Sequence, residues 1–449
     1  MNRWSVLVDN LRSQLWPLPA LALLLALLLG VGLPRFDAAM NDSMPPGLTA
    51  WLFSGGPEAA RTVLSAVASS LITVTSLTFS LTVVTLQLAS SQYSPRVLRT
   101  FAADPFVHVT LSLLLGTFVY SLTVLRTVRA SLDDQDAFVP QVSVTVGFVL
   151  GVASVGMLVG FLAHLARQIR VESILRQVHA DTEATMRHVY GDERDNDGIP
   201  QVPPTPGGRT VSLCAGSSGF LTAVEGQPLL GAALETGAVV VLADHPGDFL
   251  IAGTPVAVAW AAEGGELDES AVTRLVDALN GALRTDSERT AAQDPEFGLR
   301  QIIDIAVRAL SPGVNDPTTA VHALSHAAAL LCEAAHYRLG SRLLHDDAGR
   351  VRVVLPRPDF AAMLDLVLTQ PRRYGSDDPY VLARMFTLLR EVAWTTRSPE
   401  HHRAVSGQLA RLTDAMHRHS FDERERARLQ ELEQSVRQAL AGHWPVTSA

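Results

Sequence analysis

At 449 residues with a formal net charge of −9, the chain is long enough for two or three domains and too acidic for a nucleic-acid binder; no basic stripe with interleaved aromatics runs through it. Every one of its 36 basic residues is an arginine, and the absence of lysine excludes a Walker A phosphate loop, a protein-kinase site and Schiff-base chemistry, each of which needs a lysine amine. An apolar share of 47% reflects segregation: the first third is nearly uncharged and the remainder is rich in Arg, Asp and Glu.

Arg3 and Arg12 precede an apolar run over 16–33 that ends at Pro34. That run is long for the core of a signal peptide and no small-residue cleavage site follows, so it predicts a first membrane helix. Arg35 to Ala60, with Pro45, Pro46, Gly47, Gly55, Gly56 and Pro57, reads as an irregular outer loop. A second membrane helix is expected over about 62–90, because no charge occurs between Arg61 and Arg96 and the run outlasts the ~30 Å of bilayer hydrocarbon. The third and fourth are expected over 106–125 and 139–165, separated by the acidic stretch Asp133 to Asp136. In the fourth, Gly147 and Gly151, then Gly156 and Gly160, form small-xxx-small pairs that favour close helix packing. Arg3, Arg12, Arg96, Arg99, Arg167, Arg170 and Arg176 flank the inner ends, which puts both termini on the cytoplasmic side.

The second helix is unusual for its hydroxyls. At about 100° per residue, Thr62, Ser65, Ser69, Thr73, Ser76, Ser80, Gln87 and Ser91 fall on one stripe, and Thr75, Thr78, Thr82 and Thr85 on the opposite side. Polar groups in hydrocarbon need partners. A hydroxyl bonded to a carbonyl one turn earlier and packed against a neighbouring helix satisfies that need; so does a water-filled path. The length of the first stripe favours a pathway lining, with the threonine face as packing. Val83 and Val84 interrupt the stripe where a hydrophobic gate would sit. Glu58 lies on the same projection at the outer mouth.

Beyond the fourth span, 166–190 reads as an amphipathic stalk and 191–209 as a Gly/Pro/Asp linker. Short apolar runs between turns over 210–262 predict a small β barrel or sandwich, and 263–449 is mainly helical with a hairpin in LLHDDAGRVRVVL. Leu429, Leu432, Val436 and Leu440 mark the packing face of the last helix. Cys214 and Cys332 read as reduced core residues, and no zinc pattern includes them.

The densest motif of the polar region is DPEFGLRQIIDIAVRALSPGVNDPTTAVHAL, Asp294 to Leu324. Arg300, Asp304 and Arg308 recur every fourth residue on one helix face, Ser311-Pro312-Gly313 stops the helix, and Asp316-Pro317 starts the next as N-cap and N1. A well-capped helical corner explains nearly every residue. The same groups, with Asn315, Asp316 and Thr318 at a helix N-terminus beside Arg300 and Arg308, are also suited to an anionic ligand or a neighbouring subunit. His322 and His326 are four apart but lack a third metal ligand.

Three segments, SLTFSLTVVTLQLASSQYSPRVLRTF, GDFLIAGTPVA and the dense motif, resemble a widespread family of bacterial predicted membrane proteins classed only as a domain of unknown function. The resemblance implies an inner-membrane protein with a large cytoplasmic region and brings no catalytic residues. The expectation is therefore an α-helical membrane protein of four transmembrane helices with a cytoplasmic α+β region. Its expected function is an oligomeric, weakly cation-biased channel without cofactor, metal or enzymatic activity, its partners being the bilayer, other copies of itself and permeating ions. A membrane-anchored sensor or scaffold is the alternative.

Overall fold

A computed structural model describes residues 16–40, 52–92, 104–129, 138–168, 171–191 and 204–444, which fall into two compact units, Met1–Ser173 and Ile174–Ala449. Arg3, Arg12, Arg96, Arg99, Arg170, Asp133 to Asp136 and most of the expected linker lie outside the described residues.

The first unit holds four helices, α1 (Pro17–Met40), α2 (Pro57–Gln92), α3 (Pro105–Leu125) and α4 (Gln141–Gln168), all long and apolar enough to cross a membrane. Three begin at a proline and the fourth directly after Pro140, where the fixed φ and missing N–H suit a first helical turn. Helix α3 is the central post: it packs on α1, α2 and α4, and 61% of its apolar window is buried against 17–22% in the others. Small residues set the spacing. Gly147 lies against Leu64 and Tyr120, Gly151 against Val67 and Gly160 against Phe106, whereas Gly156 faces open space. One apolar cluster is formed by Ala60, Leu64, Tyr120, Val124 and Val144, another by Val107, Leu111, Phe161 and Leu165.

The second unit begins within α5 (Val171–Tyr190), expected as a stalk. Instead Ile174, Val178, Thr182, Met186 and Tyr190, one turn apart, are buried in the unit. The following strands are β1 (Val211–Cys214), β2 (Gly219–Val224), β3 (Ala238–Leu242), β4 (Phe249–Leu250) and β5 (Pro255–Ala261), with helix α6 (Gly226–Glu235) between β2 and β3. They do not close on themselves over 210–262. A five-stranded sheet in the order β1-β5-β3-β8-β7 takes in the hairpin β7 (Arg342–His345) and β8 (Val351–Leu355), and a three-stranded sheet β4-β2-β6 takes in β6 (Leu283–Asp286). The reason lies in β3: its AVVVL run is almost wholly buried, as befits a central strand, and it needs β8 on the edge that β5 leaves open.

The helices α7 (Glu269–Ala282), α8 (Pro295–Ala309), α9 (Pro317–Ala334), α10 (Phe360–Gly375), α11 (Pro379–Thr395), α12 (Pro399–Arg418) and α13 (Glu423–Leu440) complete the unit. Asp268, Asp294, Asp316, Asp359, Asp378, Ser398 and Asp422 each cap one of them with a side-chain oxygen. Leu429 and Val436 bury the packing face of α13, which lies against α11.

Candidate functional site

Helix α2 runs unbroken for 36 residues and has two chemically distinct faces. Ala60, Leu64, Ala68, Leu71, Thr75, Thr78, Thr82 and Thr85 are buried against the neighbouring helices, so the threonine face is the packed one. Thr62, Ser65, Ser69, Thr73, Ser76, Ser80 and Gln87 are all exposed, as are Val83, Val84 and Glu58. Ser91 lies in the helix, and its side chain is outside what is described. The predicted stripe is thus one continuous outward line on the unit. Ile72, Leu77 and Phe79 flank it, each more than 40% exposed.

Several of these hydroxyls are satisfied within the helix. Thr62 donates to the Glu58 carbonyl at 2.8 Å, Ser69 to Ser65 at 2.7 Å, Thr73 to Ser69 at 3.2 Å and Ser76 to Ile72 at 3.0 Å. On the packed face Thr75, Thr82 and Thr85 do the same, while the Oγ1 of Thr78 is buried without a partner.

Two buried carboxylates hold opposite ends of α4, and neither is among the residues predicted from the sequence. Asp37 accepts from the Val142 and Ser143 N–H groups at 3.1 and 2.9 Å and from the Ser143 hydroxyl at 2.6 Å. Asp104 caps α3 through the Phe106 N–H and accepts from His164 Nε2 at 2.6 Å. The Asp104-Pro105 pair is the local signal for a cap; that His164 would reach it is not visible along the chain.

In the second unit the GDF and DPEFG motifs meet. Arg289 makes a bidentate pair with Asp294, Nε to Oδ2 at 2.5 Å and Nη2 to Oδ1 at 3.0 Å, and the same carboxylate caps α8 by accepting from the Phe297 N–H. Gly247, at φ +106°, presses its Cα against this pair where any Cβ would collide. Glu296 lies beside Arg289 at 3.8 Å, and burial pushes its carboxyl above the ordinary range.

The corner predicted as a ligand or subunit contact separates into two places. Arg300 and Asp304 join Glu296, Asp365, Thr369 and Gln370 along a 360 Å³ cleft between α8 and α10. Arg308, Asn315, Asp316 and Thr318 do not line it and stay at the corner. There Asn315 adopts φ +48°, the Asp316 N–H donates to the Ala309 carbonyl, and Asp316 caps α9 through the Thr319 N–H and hydroxyl at 3.1 and 2.6 Å. Those two bonds hold its carboxyl below the usual range. Among the described residues, no group of three or more His, Cys, Asp or Glu is placed to hold a metal.

A family model described as predicted membrane protein (DUF2254) matches residues 12–391. Uncharacterized proteins of Mycobacterium bovis and Mycobacterium tuberculosis are each 34% identical to the chain over 436 residues, an overlap of 95% of this chain and 81% of theirs. No solved structure matches the chain.

Proposed function

The chain belongs to the family of predicted membrane proteins described as DUF2254, and from that premise we propose that it is an oligomeric, non-enzymatic ion channel of the bacterial inner membrane. Both termini are then cytoplasmic, and the second unit assembles and regulates the pore. The observation that carries this reading is the exposed polar line on α2. From Thr62 to Gln87 it runs on the order of 37 Å, enough to cross the ~30 Å of hydrocarbon. It lies opposite the face packed on the chain's own helices, where another copy would meet it. Three helices grouped around α3 as a central post are too few to enclose a hydrated path within a single chain, so the path requires several copies.

Each part of the line has a role in such a pore. Hydroxyl and amide dipoles coordinate ions loosely and select weakly, and a ring of Glu58 carboxylates biases the mouth towards cations. Val83 and Val84 form the constriction. The reading is tested with the whole protein in vesicles: cation flux should appear, and a Thr73→Cys variant should cross-link between copies under oxidation. A membrane-anchored scaffold is the second reading. The hydroxyls already bonded to their own helix favour it, since they need no water. Absence of both flux and cross-linking would select the scaffold.

A further inference from the structure

Helices α8 and α10 pack on each other, and the 360 Å³ cleft that runs between them takes its lining from both. On α8, Glu296, Arg300 and Asp304 recur every fourth residue and so stand in one row. On α10, Asp365 lines the other side. Ile303, Leu366 and the exposed Ala362 supply an apolar wall.

The opposite charges of this cleft are held apart. Among the described residues Arg300 makes no ion pair, although three carboxylates line the same space, and its Nε is out of solvent without an acceptor. Asp365 accepts from Gln408 Nε2 at 2.9 Å and from Arg411 Nη1 at 2.8 Å, both on Oδ1, so its Oδ2 can accept from a ligand. Glu296 has Arg289 at 3.8 Å, but Asp294 engages that guanidinium bidentately. Burial raises the Glu296 carboxyl in spite of His245, Arg289 and Arg300, and a further cation beside it offsets that penalty.

An anion entering the cleft meets three carboxylates, and a cation meets the Arg300 guanidinium; a molecule that carries both signs is the one whose charges the lining complements. Glu296 and Arg300 lie one helical turn apart, with Cβ atoms about 5–6 Å from each other, a spacing that these side chains let the two ends of one α-amino acid bridge. The apolar wall suits a short aliphatic side chain. We propose that the α8–α10 cleft binds a small aliphatic amino acid, its carboxylate on the Arg300 guanidinium and its ammonium between Glu296 and Asp365. Asp304 is engaged in interactions of its own and is not assigned to the ligand. Every residue of the lining lies in the second unit, so the site exists whether or not the chain conducts ions.

Calorimetric titration of the full-length protein in detergent tests this with L-alanine and L-valine, each set against the acid and the amine that lack its second charge: propionate and ethylamine for alanine, isovalerate and isobutylamine for valine. One or both amino acids should bind about tenfold or more tightly than their own fragments, the loss expected for one charge-assisted contact. Arg300→Gln should erase the advantage over the amine, and Asp365→Asn should reduce the advantage over the acid, with melting temperatures near that of the wild type. Ala362→Phe, at an exposed position of α10, fills the cleft from its rim and should abolish binding even if the two charge variants fold poorly. Binding of neither amino acid, binding no tighter than that of the fragments, or affinities that the folded variants leave unchanged would overturn the site.

Discussion

The Thr182 hydroxyl of α5 occupies the space that a Cβ at Gly298 of α8 would take. The glycine of the DPEFG motif is therefore a packing requirement: two helices approach until the side chain of one rests on the backbone of the other. Gly298→Ala should push α5 from α8 and cost about 1–3 kcal/mol, as overpacking does. Thr182→Ala in the same chain should recover part of it, because alanine otherwise suits a helix better than glycine. Thermal unfolding of the two single variants and the double is the check; an additive loss in the double would place the strain elsewhere.

Asp294 does two things with one carboxylate, neutralising Arg289 and capping α8, and its side chain has no solvent exposure. Asp294→Ala leaves the guanidinium, only 16% exposed, with Glu296 at 3.8 Å as its remaining close carboxylate, and should cost about 3 kcal/mol, the low end for breaking a buried pair. Asp294→Asn keeps the capping oxygen and should lose distinctly less. Denaturant midpoints of the two variants decide between a charge role and a capping role.

At the corner, Asp316→Ala should remove an N-cap worth about 1 kcal/mol at neutral pH. The carboxylate is held below its unfolded value, chiefly by the Thr319 hydroxyl and N–H, so its contribution is complete above the ordinary carboxylate range and is lost as pH falls towards the folded value. The gap in melting temperature between wild type and variant should accordingly close below about pH 4. A variant that melts normally yet loses its activity would give the corner a ligand-binding role.

The spans were readable because a membrane helix is specified locally, by length and lack of charge, and the caps because Asp-Pro pairs mark helix starts at 294, 316 and 378. The two faces of α2 were also readable: a period near 3.6 separates Thr75, Thr78, Thr82 and Thr85 from the outward stripe, and those four are the buried ones. What the pattern could not show are contacts between distant residues. Val240 pairs with Val353, Gly247 presses on Arg289 and Asp294, and His179 meets His326, each requiring the chain to return from far away. The extent of the sheet and the docking of α5 went unread for that reason.

Topology follows from the same helices. With four crossings, a reporter fused after Ala449 and one fused before Met1 should lie on one side, and a reporter placed within 45–51 on the other. Agreement of all three would mean that α1 and at least one of the other three apolar helices do not cross.

The pathway itself is tested by opposing the two faces of α2. Val83 and Val84 are 45% and 46% exposed on the polar line, whereas Thr78 and Thr82 are 0% and 8% exposed on the packed side. Val83→Ser or Val84→Ser should wet a hydrophobic constriction and raise cation leak into vesicles. Thr82→Ser removes a buried methyl and should cost roughly 0.8 kcal/mol of stability without added leak. Thr78→Val replaces a buried hydroxyl that has no partner by a methyl of similar shape, so it should be neutral or stabilising by up to about 1 kcal/mol. Leak raised equally from both faces, or from neither, would remove this helix from the pore and leave its serines and threonines as packing alone.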